Sequence, residues 1–270
     1  ALLLFPDVWG WNGGRVRAIA DTFASRGYLV VVAKLLSPGL DGGTDGDALP
    51  PDGKFDMGWI KTFPRTVQQP KIDAAVGYLK SKGAAKIGVM GFCYGGLPAC
   101  YASVTFPDVV AAGVVFHPSM QLEEFAFGGN NVELLKSMQC PFLLAPAGGD
   151  MPMWAESGDY AAALKASARG AECAFKEFAD MQHGWSCRGD VSDPAVARDV
   201  ELAMGTATKF LADHLQDTTC CPPGSHPYLA TDYAAKGTTV DAGTVELYQA
   251  PIEGSPTNAL LLFPDIWGWN

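Results

Sequence analysis

The stretch Ile87–Gly96 reads IGVMGFCYGG. Its first four residues, Ile87–Met90, form a short apolar run of the kind that makes a strand buried on both faces. Gly91-Phe92-Cys93-Tyr94-Gly95 follows as G-x-C-x-G, the nucleophile-elbow pattern with Cys where Ser usually stands. The glycines let the backbone turn sharply where a Cβ would clash. A helix is predicted from about Gly96. That places the Cys93 thiol at a helix N-terminus, where the backbone dipole favours a thiolate. The amide of Tyr94 is expected to point at a developing oxyanion. A glycine-flanked core cysteine in an ordinary strand-to-helix turn is the rival reading. The order strand, elbow, helix favours the nucleophile.

The same alternation extends in both directions. Leu2–Phe5 reads as a strand, and Val16, Ile19, Ala20 and Phe23 follow at helical spacing, stopped by Gly27. Tyr28–Ala33 is a second apolar strand. Residues 37–58, rich in Gly, Pro and Asp, read as a long loop. Ile72, Ala75, Val76 and Leu79 mark another helix. Beyond the elbow come strand Ala112–Phe116, a helix near Val132–Met138, strand Phe142–Ala145, helix Tyr160–Ala168 and strand Cys173–Phe178. Asp193-Pro194 is an N-cap with Pro at the first helical position, and it opens a long helix through Phe210. Such alternation predicts a mostly parallel, doubly wound α/β sheet with helices on both faces. Chemistry in these sheets gathers past the carboxyl ends of strands.

A nucleophilic thiol needs a base and a group that orients the base. In elbow-type sites the order along the chain is nucleophile, acid, histidine. Asp150 closely follows strand Phe142–Ala145, and His183 follows the next strand, so Cys93, Asp150 and His183 fit that order. His117 has the wrong order for the base and is assigned a structural role. His214 suits a helix C-terminus, and His226 falls in a linker. Asp180 is the rival acid, but its place three residues before His183 favours a turn former.

Composition excludes several classes. There are 19 basic and 29 acidic residues, a formal net charge of −10, which argues against nucleic-acid and anionic-membrane partners. No apolar run approaches the roughly 18 residues of a membrane span. The seven cysteines are odd in number and scattered, unlike a secreted disulfide framework, and this favours a reducing compartment. No Cys or His spacing suits zinc, so neither metal nor cofactor is expected. Most of the cysteines read as small core hydrophobes, and the vicinal pair Cys220-Cys221 as an inert linker feature.

The chain also repeats itself. Ala1–Asn12 is ALLLFPDVWGWN and Ala259–Asn270 is ALLLFPDIWGWN, differing only at Val8 against Ile266. The offset is 258 residues, the size of a whole α/β domain rather than of a solenoid unit. Two readings stay open. Either residues 1–215 are the main part of one unit, 216–230 a linker and 231–270 the first strands of the next unit in a tandem array, or the last segment belongs to the same, circularly permuted unit. Because identical strands compete for one slot, residues 222–270 are expected to extend away from residues 1–215 or to pack on another copy of them. In the array reading, the partners are further copies of the same unit.

Gly91–Gly96, Asp150 and His183-Gly184-Trp185, with Arg188 and Gly189, resemble the dienelactone hydrolase family of α/β-hydrolases. The resemblance implies a Cys-Asp-His triad acting on a small-molecule ester or lactone, without a cofactor. It also implies roles for the strand end Asp7-Val8-Trp9-Gly10. Asp7 would hold the resting thiol, one methylene shorter than the family's usual Glu, and Val8 would give the second oxyanion amide. Arg188 maps to a carboxylate-binding arginine. A second such arginine has no counterpart at Lys34-Leu35-Leu36-Ser37-Pro38. Trp9 and Trp185 are candidates for pocket walls, with plain core packing as the alternative. The opposing reading of the whole chain is a catalytically idle repeat or ligand-binding protein on the hydrolase fold.

Overall fold

The structure is a computed structural model that describes residues 1–11, 14–36, 57–215, 237–241, 243, 246–249 and 261–262. The chain forms two compact units, residues 1–87 with 218–270, and residues 88–217.

In the first unit, strand β1 (Leu2–Phe5) is buried throughout, as an all-apolar run requires. Helix α1 (Val16–Ala24) turns Val16, Ile19, Ala20 and Phe23 inward and ends before Gly27, whose φ of 88° only glycine adopts readily. Strand β2 (Val30–Ala33) then lies parallel to β1, with Leu2 beside Val30 and Leu4 beside Val32. Helix α2 (Arg65–Ser81) buries Ile72, Ala75, Val76 and Leu79. It begins earlier than its apolar spacing indicates, and the Gln68 side-chain amide donates to the Phe63 carbonyl at 2.5 Å near its start.

The second unit carries the elbow. Strand β3 (Ile87–Phe92) leads through a single 3₁₀ turn, Cys93–Gly95, into helix α3 (Gly96–Thr105). Strand β4 (Val110–Phe116), short helices α4 (Leu122–Phe125) and α5 (Asn131–Lys136), strand β5 (Phe142–Ala145) and helix α6 (Asp159–Lys165) follow. Then come strand β6 (Ala174–Phe175), the single-turn helix α7 (Trp185–Arg188) and helix α8 (Pro194–Leu215). β4 runs parallel to β5, Val114 beside Leu143, and β5 parallel to β6, Leu143 beside Ala174. Gly113 leaves space for the neighbouring ring, because a Cβ there would sit 2.2 Å from Phe142 Cε1. Asp193 caps α8 as its sequence indicates, its Oδ1 accepting from the Ala195 amide at 2.8 Å. β6 is shorter than the expected Cys173–Phe178. Its ladder resumes only at an isolated bridge between Ala147 and Phe178. The chain has the fold of an α/β-hydrolase, mostly parallel strands joined by helices.

The C-terminal segment departs from expectation. Strands β7 (Thr238–Asp241) and β8 (Glu246–Gln249) form an antiparallel hairpin, and β8 pairs antiparallel with β2, Val31 beside Gln249 and Ala33 beside Leu247. These residues therefore join the first unit instead of extending away. The open backbone groups along a strand edge accept any strand that can reach them, and the hairpin reaches β2. Strand β9 (Leu261–Leu262) lies parallel to β1, Leu261 beside Leu3 and Leu262 beside Leu4, each next to its own repeat counterpart. The linker 216–230, the vicinal cysteines, His226 and residues 263–270 lie outside the described residues.

The turn after β5 is packed to the limit at one glycine. A Cβ on Gly148 would lie 1.9 Å from the Ala179 carbonyl oxygen, whereas on Gly149 the nearest atom is Gln182 Oε1 at 3.4 Å. Gly148→Ala is therefore expected to lower unfolding stability by about 1–3 kcal/mol or more, since backbone has to move. Gly149→Ala should change it by under about 0.5 kcal/mol, as for an exposed site. Denaturant midpoints at unchanged slope distinguish the two.

Candidate active site

Cys93 sits where β3 ends, with φ 53° and 8% of its surface exposed. A positive φ is strained for a side chain other than Gly, Asn or Asp, and such strain persists only where the surroundings enforce it. Here they do. A Cβ on Gly91 would lie 2.4 Å from the Gly95 carbonyl oxygen, and one on Gly96 would lie 2.5 Å from Met120 Sδ. Glycine at 91 lets the turn close on itself, and glycine at 96 leaves room for the Met120 and Val115 side chains. Tyr94 is buried directly after the thiol.

Asp150 is held from both sides. Its side chain is 3% exposed, Oδ2 accepts from the Ala147 amide at 2.7 Å, and Oδ1 accepts from His183 Nδ1 at 2.5 Å. With Nδ1–H committed to the carboxylate, Nε2 is the nitrogen left to face the thiol. His183 occupies the turn before α7, and Gly184 (φ 86°) follows it. Burial works against the imidazolium, but the pull of an ionised sulfur at Cys93 and the hydrogen bonds to Asp150 and Cys93 prevail and raise the His183 pKa to about 10, well above the usual histidine value. The three expected residues therefore meet in one network within the second unit.

A hydroxyl not anticipated from the sequence completes that network. Ser119 Oγ accepts from Cys93 Sγ at 3.3 Å and lies 3.5 Å from His183 Nε2. It stands just past β4, so the rule that places chemistry at strand carboxyl ends could have found it in His117-Pro118-Ser119. His117 is fully buried beneath the site, with φ 38° and its ring 5.0 Å from that of His183. Its Nε2 pairs with Ser186 Oγ at 2.8 Å, and its Nδ1 has no partner among the described residues. Burial, then the charges of His183 and Arg188, push its pKa well below the ordinary 6.5, so it stays neutral.

Trp185 is 2% exposed and packs at 4.5 Å between ring centres on Phe178, with Phe116 edge-on beyond. It lines, together with His183, Arg188, Asp180, Asp190 and Asp193, a cleft of about 580 Å³. Asp7, Val8 and Trp9 belong to the first unit, just past β1. There Asp7 Oδ1 accepts from the Trp9 amide at 2.9 Å, and Gly10 closes the turn with φ 77°. Among the other thiols, Cys100, Cys140 and Cys187 are buried as the core reading expects. Burial pushes the Cys140 thiol up to about 12 and Cys100 higher. Among the described residues, no group of three or more His, Cys, Asp or Glu side chains is placed to hold a metal ion, and no helix is long and apolar enough to cross a membrane.

The buried neutral His117 has a consequence for stability. Its folded pKa lies below that of the unfolded chain, so its stabilisation is complete above the ordinary histidine value of 6.5. It is lost as pH falls below that value, where only the unfolded chain takes the proton. His183 is shifted the other way, but its side chain is 41% exposed and solvent screens its contribution. Unfolding free energy is expected to fall as the medium is acidified below the histidine range. His117→Asn, which tolerates the positive φ, should flatten that fall in paired denaturant titrations.

Comparison with known proteins addresses the family and the fold. The dienelactone hydrolase family profile matches residues 1–215. Hydrolase tropI of Talaromyces stipitatus is 25% identical over 229 residues, covering 80% of this chain and 82% of that protein. A carboxymethylenebutenolidase homolog of Rattus norvegicus is 29% identical over 119 residues. That match covers 43% of this chain and 46% of the rat protein, so the chain spans about half the length of this relative. A crystal structure from Klebsiella pneumoniae, assigned as a dienelactone hydrolase, superimposes with a TM-score of 0.57 at 15% identity. It covers 80% of this chain and 86% of that one, a likeness of fold. With the profile spanning most of its length, the chain belongs to the dienelactone hydrolase family.

Proposed function

We propose that this protein hydrolyses a small carboxylic ester or lactone through a thioester on Cys93. The observation that carries this reading is the unbroken contact set from the Ala147 amide through Asp150 and His183 to the thiol on its enforced turn. In the first step the Cys93 thiol gives up its proton to His183 Nε2 and the sulfur attacks the carbonyl carbon. Negative charge develops on the carbonyl oxygen, and the Tyr94 amide, directly after the nucleophile, would be the donor that meets it. The C–O bond to the leaving group then breaks, and His183 Nε2–H protonates the departing alkoxide. In a lactone that alkoxide stays tethered to the acyl group. In the second step neutral His183 takes a proton from water, the resulting hydroxide attacks the thioester, and the Cys93 sulfur leaves and takes that proton back from His183. Asp150 holds the ring in one tautomer throughout. Arg188, on the cleft that His183 also lines, would take a carboxylate on the substrate.

The test uses a chromogenic ester and an acid quench. Wild-type protein should turn the ester over, and quenched samples should carry the acyl mass on Cys93. His183→Ala should lower kcat/KM by roughly 10²–10⁴-fold, the usual span for a lost general base. Cys93→Ala should lose both turnover and the acyl adduct, while His117→Asn keeps them. Full activity in Cys93→Ala, or an adduct on another residue, would overturn the reading.

We also propose that the chain is one period of a tandem array whose neighbours are further copies of itself. The support is the near-identity of Ala1–Asn12 with Ala259–Asn270. The intact mass of the native protein should then lie far above the 28.6 kDa of this chain; a native mass equal to it would favour a closed, permuted unit.

A further inference from the structure

Ser119 stands against both reacting atoms of the site. Its amide donates to the Cys93 carbonyl oxygen at 3.2 Å, which ties the turn after β4 to the elbow. The side chain is buried, with Oγ 3.3 Å from Cys93 Sγ and 3.5 Å from His183 Nε2. A hydroxyl has one proton and two lone pairs. It can accept from the thiol and donate to an imidazole nitrogen at once, and Nε2 is the nitrogen that faces it because Nδ1–H is engaged by Asp150.

We propose that Ser119 relays the proton that activates Cys93, a role that rests on the hydrolase reading above. The S–H bond breaks as a new O–H bond forms on Ser119, the original Ser119 proton passes to His183 Nε2, and the electron pair stays on sulfur. Serine ends neutral, and no other reactant is consumed. Afterwards the same hydroxyl donates to the thiolate and accepts from the imidazolium, so the hydrogen bonds simply reverse. An alanine can serve neither arrangement.

Cys93 and His183 also touch directly, which leaves a second path for the proton when the hydroxyl is removed. The other titratable and charged groups facing the network are Asp150, at Nδ1, the neutral His117 below the ring, and Arg188, whose charge reaches His117. None of them offers an oxygen between sulfur and Nε2.

Two readouts test the relay. One is the rate of iodoacetamide alkylation at Cys93, mapped by mass across the neutral pH range, which needs no turnover. Ser119→Ala should slow it by roughly 10-fold at neutral pH, below the full effect of losing a base. The pH profile should move to higher pH, because the thiolate loses a donor. Ser119→Thr, which keeps the hydroxyl, should recover most of the rate. The second readout is a proton inventory of ester turnover in mixed light and heavy water, bowed in wild type and straight in Ser119→Ala. Alkylation that is unchanged or faster in Ser119→Ala overturns the relay, as does an equal loss in the Ala and Thr variants, which would mean packing alone. If the wild type turns over no ester but alkylation follows the expected pattern, the hydrolase reading fails and the Ser119 link stands.

Discussion

Everything in the site follows from one strained residue. Cys93 holds a left-handed backbone, a conformation that costs of order 1–3 kcal/mol and relaxes unless its neighbours forbid it. The neighbours are close on every side. Gly91 touches the Gly95–Gly96 backbone, Gly96 lies under Met120, and the Cys93 carbonyl is bonded to the Ser119 amide. Behind them Phe92 stacks on Phe116 at 5.4 Å. The thiol is therefore aimed by the core of the second unit and not by its own rotamer preferences.

Parallel strands make this economical in chain length. Each strand of the second unit delivers its carboxyl end to the same edge, so successive loops add one group apiece: the thiol after β3, the Ser119 hydroxyl and the buried His117 after β4, the carboxylate after β5. His183 arrives in the turn beyond β6, and α7 starts at once behind it. The order of charges is as constrained as the geometry. Asp150 uses both oxygens and cannot wander, His183 is drawn toward its protonated form, and His117 below it is kept neutral by burial. Two histidine rings 5.0 Å apart thus hold opposite preferences.

Much of this could be read from the sequence. Gly91-Phe92-Cys93-Tyr94-Gly95 has no other economical conformation after a buried strand, and the spacing of Asp150 and His183 follows from the strand count. Arg188 and Trp185 were visible as types, but only packing decides that Trp185 is wedged between Phe178 and Phe116. Ser119 stands at a strand end where chemistry gathers, but serine is common there and its partners are 26 and 64 residues away. The burial of His117 depends on Ser186 and Phe92, both remote in sequence. The C-terminal hairpin went astray for a different reason: hydrophobic pattern says that a segment wants a partner strand and not which edge it takes. The strand that takes the edge of β2 reads Glu246-Leu247-Tyr248-Gln249, and nothing in that short run names the edge.

The thiol and the imidazole differ in their access to solvent, with Cys93 nearly enclosed and one face of His183 open to the cleft. Protons on that ring can therefore trade with bulk water without a dedicated channel, whereas those on sulfur must pass through a neighbouring side chain. Rapid resetting of the ring between encounters is thus built into the architecture.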